Sequence, residues 1–297
     1  MTNFLIGTGV AIVTPFHKHG TIDFSSFEKM IEHVIANKVE YIVVIGTTGE
    51  SVTLSKDERN AIIHFSVETI NKRVPLVVGI GGNNTQSIID SIKECPFEDI
   101  DAILSVAPYY NKPQQRGLYL HYKNIATVSP VPVILYNVPG RTSLNMSAET
   151  TLKLAHELKN IVAIKEASGN LPQCMEIIKN RPAGFKVISG DDILTLPLLA
   201  LGADGVISVV ANAFPAEFSE MVRLALKGNF DKARVIHYQL TNIIESLFVD
   251  GNPAGIKAAL SILGLIQNNL RLPLVKVSQS VFRQIENQIS AIVKPDN

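Results

Sequence analysis

Residues 160–170 read NIVAIKEASGN, and this segment contains the pattern on which the fold prediction rests. Four apolar residues at 161–164 lead without polar alternation into Lys165 and Glu166, and then into small turn-forming residues. An apolar run without alternation is typical of a strand that is covered on both faces, as in a parallel sheet. The two charged residues therefore stand where a buried strand ends.

Seven other runs of this kind occur along the chain, separated mostly by amphipathic stretches with helical spacing. One of these stretches, 55–72, opens with a serine cap and acidic residues in its first turn. The strand-like runs are Gly9–Thr14, Tyr41–Gly46, Pro75–Ile80, Ala102–Ala107, Pro132–Asn137, Ile161–Lys165, Phe185–Ser189 and Gly205–Val210. Eight strand–helix units predict an α/β fold, a (β/α)8 TIM barrel. A doubly wound open sheet is the alternative, weakened by the lack of a GxGxxG turn after the first strand.

The last part of the chain has a different pattern. Stretches 230–248, 254–265 and 279–293 have helical spacing, and no strand-like run lies among them. We therefore predict a catalytic barrel over residues 1–225 and a C-terminal helical extension over residues 226–297.

The composition of the chain argues against several classes of protein. Acidic and basic residues balance at 27 each, so no global field favours nucleic acid or an anionic membrane. Cys95 and Cys174 lie far apart, which indicates neither a disulfide scaffold nor a cysteine-based zinc site and fits a reducing cytoplasm. No apolar run approaches the roughly 18–20 residues of a membrane span, and the N-terminus lacks a basic signal region. We expect a cytoplasmic enzyme or binding protein with a small ligand.

In a (β/α)8 barrel the active site forms at the C-terminal ends of the strands. The segments at these predicted ends are GTTGES (46–51), APYYNKP (107–113), YNVPGRT (136–142), KEASGN (165–170), SGDD (189–192) and SVVAN (208–212). Threonines, tyrosines, an arginine and a lysine therefore converge on one rim.

Lys165 is the residue of this rim with the most distinctive chemistry. Side chains alternate along a strand, so Lys165 and Ala163 share one face while Glu166 points to the other. Inside a dry barrel, an amine loses the hydration that stabilises its charge, and a neutral amine attacks carbonyl carbon to form a Schiff base. The alternative is a lysine that ends a strand and extends its tip into water.

The neighbouring rim residues favour the Schiff base. The Tyr136 phenol can move the protons that imine formation requires, and Thr47 and Thr48 offer hydroxyl and amide groups that suit a carboxylate. Arg141 can bind a carboxylate in bidentate fashion. Taken one at a time, Tyr136 could be an ordinary core residue, the threonines part of a capped turn, and Arg141 a solvated surface charge. Together they predict a site for a small 2-oxo acid.

Five segments closely resemble the dihydrodipicolinate synthase family, within the pyruvate-dependent class I aldolase superfamily. They are YIVVIGTTGES, APYYNKPQQRGLYLHY, ILYNVPGRT, IVAIKEASGN and GVISVVAN, and the resemblance runs in order over essentially the whole chain. It implies a lyase that condenses pyruvate with L-aspartate 4-semialdehyde to 4-hydroxy-tetrahydrodipicolinate, the entry step of diaminopimelate and lysine biosynthesis. It also implies that no metal or organic cofactor is needed.

The resemblance also implies a role for each site residue. Lys165 forms the imine, and Tyr136 moves protons through Thr47 to Tyr110, which a neighbouring subunit donates. A dimer is then the minimal active unit, and we expect a homotetramer built as a dimer of dimers. The implied substrate-binding residues are Thr48 for the pyruvate carboxylate, Arg141 for the semialdehyde, Ile207 through its backbone carbonyl near the imine, and Gly190.

The sequence departs from the family pattern at a pocket where many members bind lysine as an inhibitor. Inhibited members have a histidine around the position of Arg59 and a glutamate where Ser87 stands, although Tyr109 and Asn83 match. Lys56 and Arg59 would repel a cationic ligand. We therefore predict weak or absent lysine inhibition.

Two other functions fit parts of the pattern. N-acetylneuraminate lyases and 2-keto-3-deoxy sugar-acid aldolases share the imine lysine and the tyrosine, but Arg141 in YNVPGRT favours the synthase. A non-catalytic barrel that kept the scaffold is the second alternative, and the intact set of rim residues argues against it.

Overall fold

The computed structural model describes residues 3–293, and within them eight parallel strands close into a barrel. Each strand pairs with the next one in the sequence, and the last pairs with the first. The strands are β1 (Gly7–Ala11), β2 (Tyr41–Val44), β3 (Leu76–Gly79), β4 (Ala102–Val106), β5 (Val133–Asn137), β6 (Ile161–Glu166), β7 (Lys186–Ser189) and β8 (Gly205–Ser208). The (β/α)8 barrel prediction is confirmed, and the open-sheet alternative is wrong.

Helices lie between the strands and after the last one. They are α1 (Phe24–Ala36), α2 (Lys56–Ile70), α3 (Thr85–Glu94), α4 (Gln115–Val128), α5 (Pro139–Thr142), α6 (Ala148–Glu157), α7 (Leu171–Asn180), α8 (Thr195–Ala200), α9 (Pro215–Leu226), α10 (Phe230–Ser246), α11 (Ala254–Ile262) and α12 (Gln279–Val293). The serine cap of the second helix is confirmed, because Ser55 and Glu58 form a reciprocal capping box at its start. None of the helices in the described part of the chain is long and apolar enough to cross a membrane.

The first strand begins and ends earlier than the sequence predicts, at Gly7 and Ala11 instead of Gly9 and Thr14. The Ile12 amide still donates to the Val43 carbonyl of β2 at 3.0 Å, but the two residues after it have partners outside β2. The Val13 amide donates to Asn212 Oδ1 at 3.1 Å, and the Thr14 hydroxyl donates to the Gly49 carbonyl at 2.7 Å. Ile12 and Val13 are buried, so their apolar character reflects burial and not membership of the strand.

A bulge between β5 and β6 sets which side chains face the barrel interior. Val133 pairs with Ile161 but Ile134 pairs with Ala163, so Val162 is an extra residue on the sixth strand. Beyond the bulge, Tyr136 lies opposite Lys165. An unbroken register would have placed Ile164 there instead.

The C-terminal helices pack onto the barrel through a shared core. One cluster of buried apolar side chains includes Val10 of β1, Ile256 of α11 and Ile285 of α12. The helical extension is therefore confirmed as helical and as packed on the barrel, while the boundary between residues 225 and 226 stays a prediction. Residues of the extension also line the cavity at the mouth of the barrel.

Candidate active site

A cavity of about 1370 Å³ opens at the C-terminal ends of the strands. The loops after β2, β3, β5, β6 and β7 contribute to its wall, together with residues of the extension. Six of the residues chosen from the sequence line it: Thr47, Thr48, Tyr136, Arg141, Lys165 and Gly190. The predicted convergence on one rim is thus what the structure shows.

Lys165 and Tyr136 form the centre of this cavity. They are register partners on β6 and β5, and both side chains are more than nine-tenths buried. The Lys165 Nζ atom lies 4.5 Å from the centroid of the Tyr136 ring. A buried amine beside a phenol offers a nucleophile and a proton carrier within reach of one small carbonyl compound.

Gly190 leaves the space that the lysine side chain occupies. A Cβ atom at this position would lie 2.7 Å from the Cβ of Ala167 and 3.1 Å from the Cε and Cγ atoms of Lys165. Any larger residue would therefore press against the amine-bearing chain. The structure assigns Gly190 a steric role beside Lys165, at the cavity wall.

The GTTGES loop has a backbone that is held under strain. Ile45, directly before it, has φ +57°, and Glu50 within it has φ +55°. A β-branched residue rarely adopts this left-handed conformation, and such strain persists only where the surroundings enforce it. The neighbouring strand makes room, because a Cβ atom at Gly79 would lie 2.1 Å from the Ile45 carbonyl oxygen. The loop presents Thr48, which is buried, and Thr47, which is half-buried.

Asn252, a residue of the extension that the sequence analysis did not single out, joins two of the predicted residues. Its Nδ2 donates to the Thr48 hydroxyl at 2.9 Å, and its backbone carbonyl accepts from Arg141 Nη2 at 3.2 Å. Its Oδ1 is buried, and no residue in the described part of the chain donates to it. Asn252 lies more than 200 positions after Thr48, so no local pattern could have placed it here.

A buried ion pair anchors the other end of the same loop. Lys257 of α11 contacts the Glu50 carboxylate, and both side chains are fully buried. The second Glu50 oxygen accepts from the Arg271 amide at 3.1 Å, and Lys257 Nζ donates to the Asn269 carbonyl at 3.0 Å. Burial lowers the pKa of Lys257 to about 8, although the Glu50 carboxylate acts in the opposite direction. The extension therefore fixes the loop that carries Thr47 and Thr48.

Tyr110 and Ile207 are not among the described residues that line the cavity. Tyr110 has φ +74° in the loop after β4, and 90% of its surface is exposed. Ile207 lies in β8 with its side chain buried in the barrel interior, in the same apolar cluster as Tyr136 and Ala163. The roles assigned to these two residues stay predictions.

The cavity wall also includes residues of α2, α3 and the loops around them, and we call this part of the wall the second lobe. Lys56, Arg59 and Ser87 line this lobe, as do Asn83 and Tyr109. Lys56 Nζ forms an ion pair with Glu94 at 2.9 Å, and the Arg59 guanidinium donates to the Leu54 carbonyl at 3.1 and 3.2 Å. The two cations that the sequence analysis selected therefore do face one pocket.

The two cysteines are unpaired thiols. Burial raises the pKa of Cys95, at the edge of the second lobe, to about 11, and that of Cys174 to about 12. Both thiols are therefore protonated near neutral pH and poor nucleophiles. Within residues 3–293, no group of three or more His, Cys, Asp or Glu side chains could hold a metal ion.

The fold and the site define a (β/α)8-barrel protein with a buried lysine and tyrosine at the C-terminal mouth. The model of the dihydrodipicolinate synthetase family matches residues 5–292. The 4-hydroxy-tetrahydrodipicolinate synthase of Parabacteroides distasonis is 53% identical over 289 residues, covering 96% of this chain and 97% of the relative. The chain therefore belongs to the dihydrodipicolinate synthetase family, as the resemblance predicted.

Solved structures agree with this assignment. The dihydrodipicolinate synthase of Thermotoga maritima matches with a TM-score of 0.95 at 39% identity, over 98% of this chain and 99% of that chain. The DHDPS of Cyanidioschyzon merolae, crystallised with lysine bound, matches with a TM-score of 0.94 at 39% identity, again over 98% and 99%.

Proposed function

We propose that the chain is a 4-hydroxy-tetrahydrodipicolinate synthase, which condenses pyruvate with L-aspartate 4-semialdehyde. The observation that carries this proposal is the buried Lys165 amine, 4.5 Å from the Tyr136 ring centroid at the wall of a cavity that Arg141 also lines. Family membership supports the same reaction.

Lys165 Nζ attacks the keto carbon of pyruvate, and loss of water from the carbinolamine gives an imine. Loss of a proton from the methyl carbon then gives an enamine, whose carbon attacks the aldehyde of the semialdehyde. The amino group of the semialdehyde finally attacks the imine carbon, closes the ring and releases the Lys165 amine. The lysine adduct is the electron sink in this scheme, a role for which other enzymes use a cofactor.

Tyr136 moves the protons of these steps, because its ring lies beside the amine and phenols serve as general acids and bases. Thr48 binds the pyruvate carboxylate, and Thr47 continues the proton path towards Tyr110. Arg141 binds the carboxylate of the semialdehyde at the cavity mouth. Gly190 gives the imine room, and Ile207 offers its backbone carbonyl.

The exposure of Tyr110 supports the role of an oligomer. Tyr110 is 90% exposed and is not among the described residues that line the cavity of its own chain. We propose that a neighbouring subunit inserts its copy of Tyr110 into this site, within a dimer that pairs again to form a tetramer. Location in the cytoplasm and independence of metals and cofactors belong to the same proposal.

The test is turnover of pyruvate with L-aspartate 4-semialdehyde, run beside a cleavage assay with N-acetylneuraminate. Turnover with the semialdehyde and none with the sugar acid supports the synthase. Cleavage of the sugar acid alone would be consistent with imine formation on Lys165, but it would reject the proposal that Arg141 binds the semialdehyde. Inactivity in both assays would leave a 2-keto-3-deoxy sugar-acid aldolase or a non-catalytic barrel, and only the former would trap pyruvate on Lys165 in the presence of borohydride.

A further inference from the structure

The residues that follow Tyr136 and Lys165 form a second pair behind the first. Asn137 and Glu166 are register partners at the ends of β5 and β6, and both side chains are buried on the face opposite the cavity. Asn137 Nδ2 lies 3.2 and 3.1 Å from the two Glu166 carboxylate oxygens. The strands that carry the reacting side chains are thus joined by side chains as well as by backbone.

The Glu166 carboxylate is held by amide donors from three elements. Besides Asn137, the Gln173 side chain of α7 donates at 3.0 Å, and the Ser168 backbone amide donates at 2.8 Å. None of the ion pairs found within residues 3–293 includes Glu166. A buried carboxylate that loses a donor is costly, so this set of contacts fixes its position.

Asn137 is fixed equally well on its other side. Its Oδ1 accepts from the Met146 amide at 3.0 Å, and its Nδ2 also points at Asn145 Oδ1 at 2.8 Å. The backbone ladder continues around the pair, since the Ala167 amide donates to the Asn137 carbonyl at 2.8 Å. Hydrogen bonds on the helix side of the barrel therefore hold Asn137 and Glu166, the last residue pair of the two strands, in place.

We propose that Asn137 and Glu166 are positioning residues that hold Tyr136 and Lys165 at the separation that imine chemistry requires. The inference rests on the proposed function. An apolar pair would fill the same space without desolvating a charge, whereas a saturated polar network specifies one geometry. Displacement of a reacting group by about 1 Å can cost roughly 100-fold in rate.

The first variant is Glu166→Gln. The carboxylate faces three donors, so in either amide orientation the Gln NH2 group opposes at least one of them. We expect kcat to fall by roughly 10- to 100-fold, with a nearly unchanged KM for pyruvate because Thr48 and its loop are untouched. The rate at which borohydride traps pyruvate on Lys165 should fall in step.

One variant acts as a control. Asn160→Ala removes a side chain that donates to the carbonyls of Ala126, Ser129 and Val131 at the opposite end of β6. It should lower the thermal midpoint while kcat and the trapping rate stay at the wild-type values.

If Glu166→Gln does not fold, Asn137→Ala is the variant to measure. It should show the same loss of kcat. Wild-type kcat and trapping rates in Glu166→Gln or Asn137→Ala would overturn the inference. An equal loss in Asn160→Ala at a matched thermal midpoint would also overturn it. Failure of the wild-type protein to trap pyruvate would instead reject the proposed function, and the inference with it.

Discussion

Asn252 of the C-terminal extension donates a 2.9 Å hydrogen bond to the hydroxyl of Thr48, in the loop after the second strand. The same residue accepts from Arg141 through its backbone carbonyl. One residue outside the barrel therefore connects the groups proposed to bind the carboxylates of the two substrates. This contact makes the extension part of the active site as well as of the core.

Asn252→Ala should lower kcat/KM because the Thr48 hydroxyl loses its donor. Loss of one such hydrogen bond costs about 1 kcal/mol, which corresponds to roughly a five- to tenfold fall. Steady-state kinetics with each substrate varied in turn measures the effect. Asn124→Ala, which removes an exposed helix asparagine that donates to the Leu120 carbonyl, should have no effect. If Asn252→Ala and Asn124→Ala both keep the wild-type kcat/KM, the hydrogen bond to Thr48 contributes nothing to catalysis.

Lys257→Met should destabilise the protein strongly, because it leaves the Glu50 carboxylate buried without its cation. Removal of one partner of a buried pair typically costs about 3–5 kcal/mol. The double variant Glu50→Gln with Lys257→Met removes both charges and should recover much of that loss. Urea unfolding of the three proteins measures the free energies, and a double variant as unstable as Lys257→Met would refute the explanation.

Asp192 should make stability depend on pH. It is fully buried, and burial raises its pKa from 3.8 to about 6 although the amides of Val210 and Val209 donate to it. Between these values the folded state keeps a proton that the unfolded state releases, so stability falls as pH rises.

Asp192→Asn keeps an oxygen acceptor for both amides but does not titrate. The stability of the wild-type protein relative to this variant should fall by on the order of 3 kcal/mol between about pH 4 and pH 6 and then level off. Unfolding free energies at several pH values test this. A constant difference between the two proteins across the range would contradict it.

Lysine should inhibit the enzyme weakly or not at all. In the second lobe Glu94 compensates the charge of Lys56, whereas Arg59 adds a positive charge and Ser87 no negative one. A cationic ligand therefore meets repulsion from Arg59. Initial rates across a lysine titration measure the effect. The variant Arg59→His with Ser87→Glu should become more sensitive, and half-inhibition of the wild-type enzyme at micromolar lysine would overturn the prediction.

The sequence was sufficient for the features that local patterns encode. The unbroken apolar run before Lys165 predicted a buried strand, and the alternation of side chains placed Glu166 away from the amine, where it contacts Asn137 and Gln173. The eight-unit repeat then placed Lys165 and Tyr136 on adjacent strands. These features depend on periods of two and of 3.6 residues, which a sequence displays directly.

Contacts between distant segments could not be predicted in the same way. Lys257 lies in a helical stretch whose periodicity reports only burial, and Asn252 lies in the turn before that helix. Each contacts a loop more than 200 positions earlier. The early end of β1 was missed because Ile12 and Val13, which follow the strand, are apolar and buried like strand residues. The partner proposed for Tyr110 belongs to another chain.

Reductive trapping tests the central claim, the imine on Lys165, most directly. The protein is incubated with saturating pyruvate and borohydride, digested, and analysed by mass spectrometry. A reduced pyruvyl adduct should form on Lys165, and it should be absent without pyruvate and in Lys165→Met. An unmodified Lys165 under these conditions, or an adduct on another lysine, would contradict it.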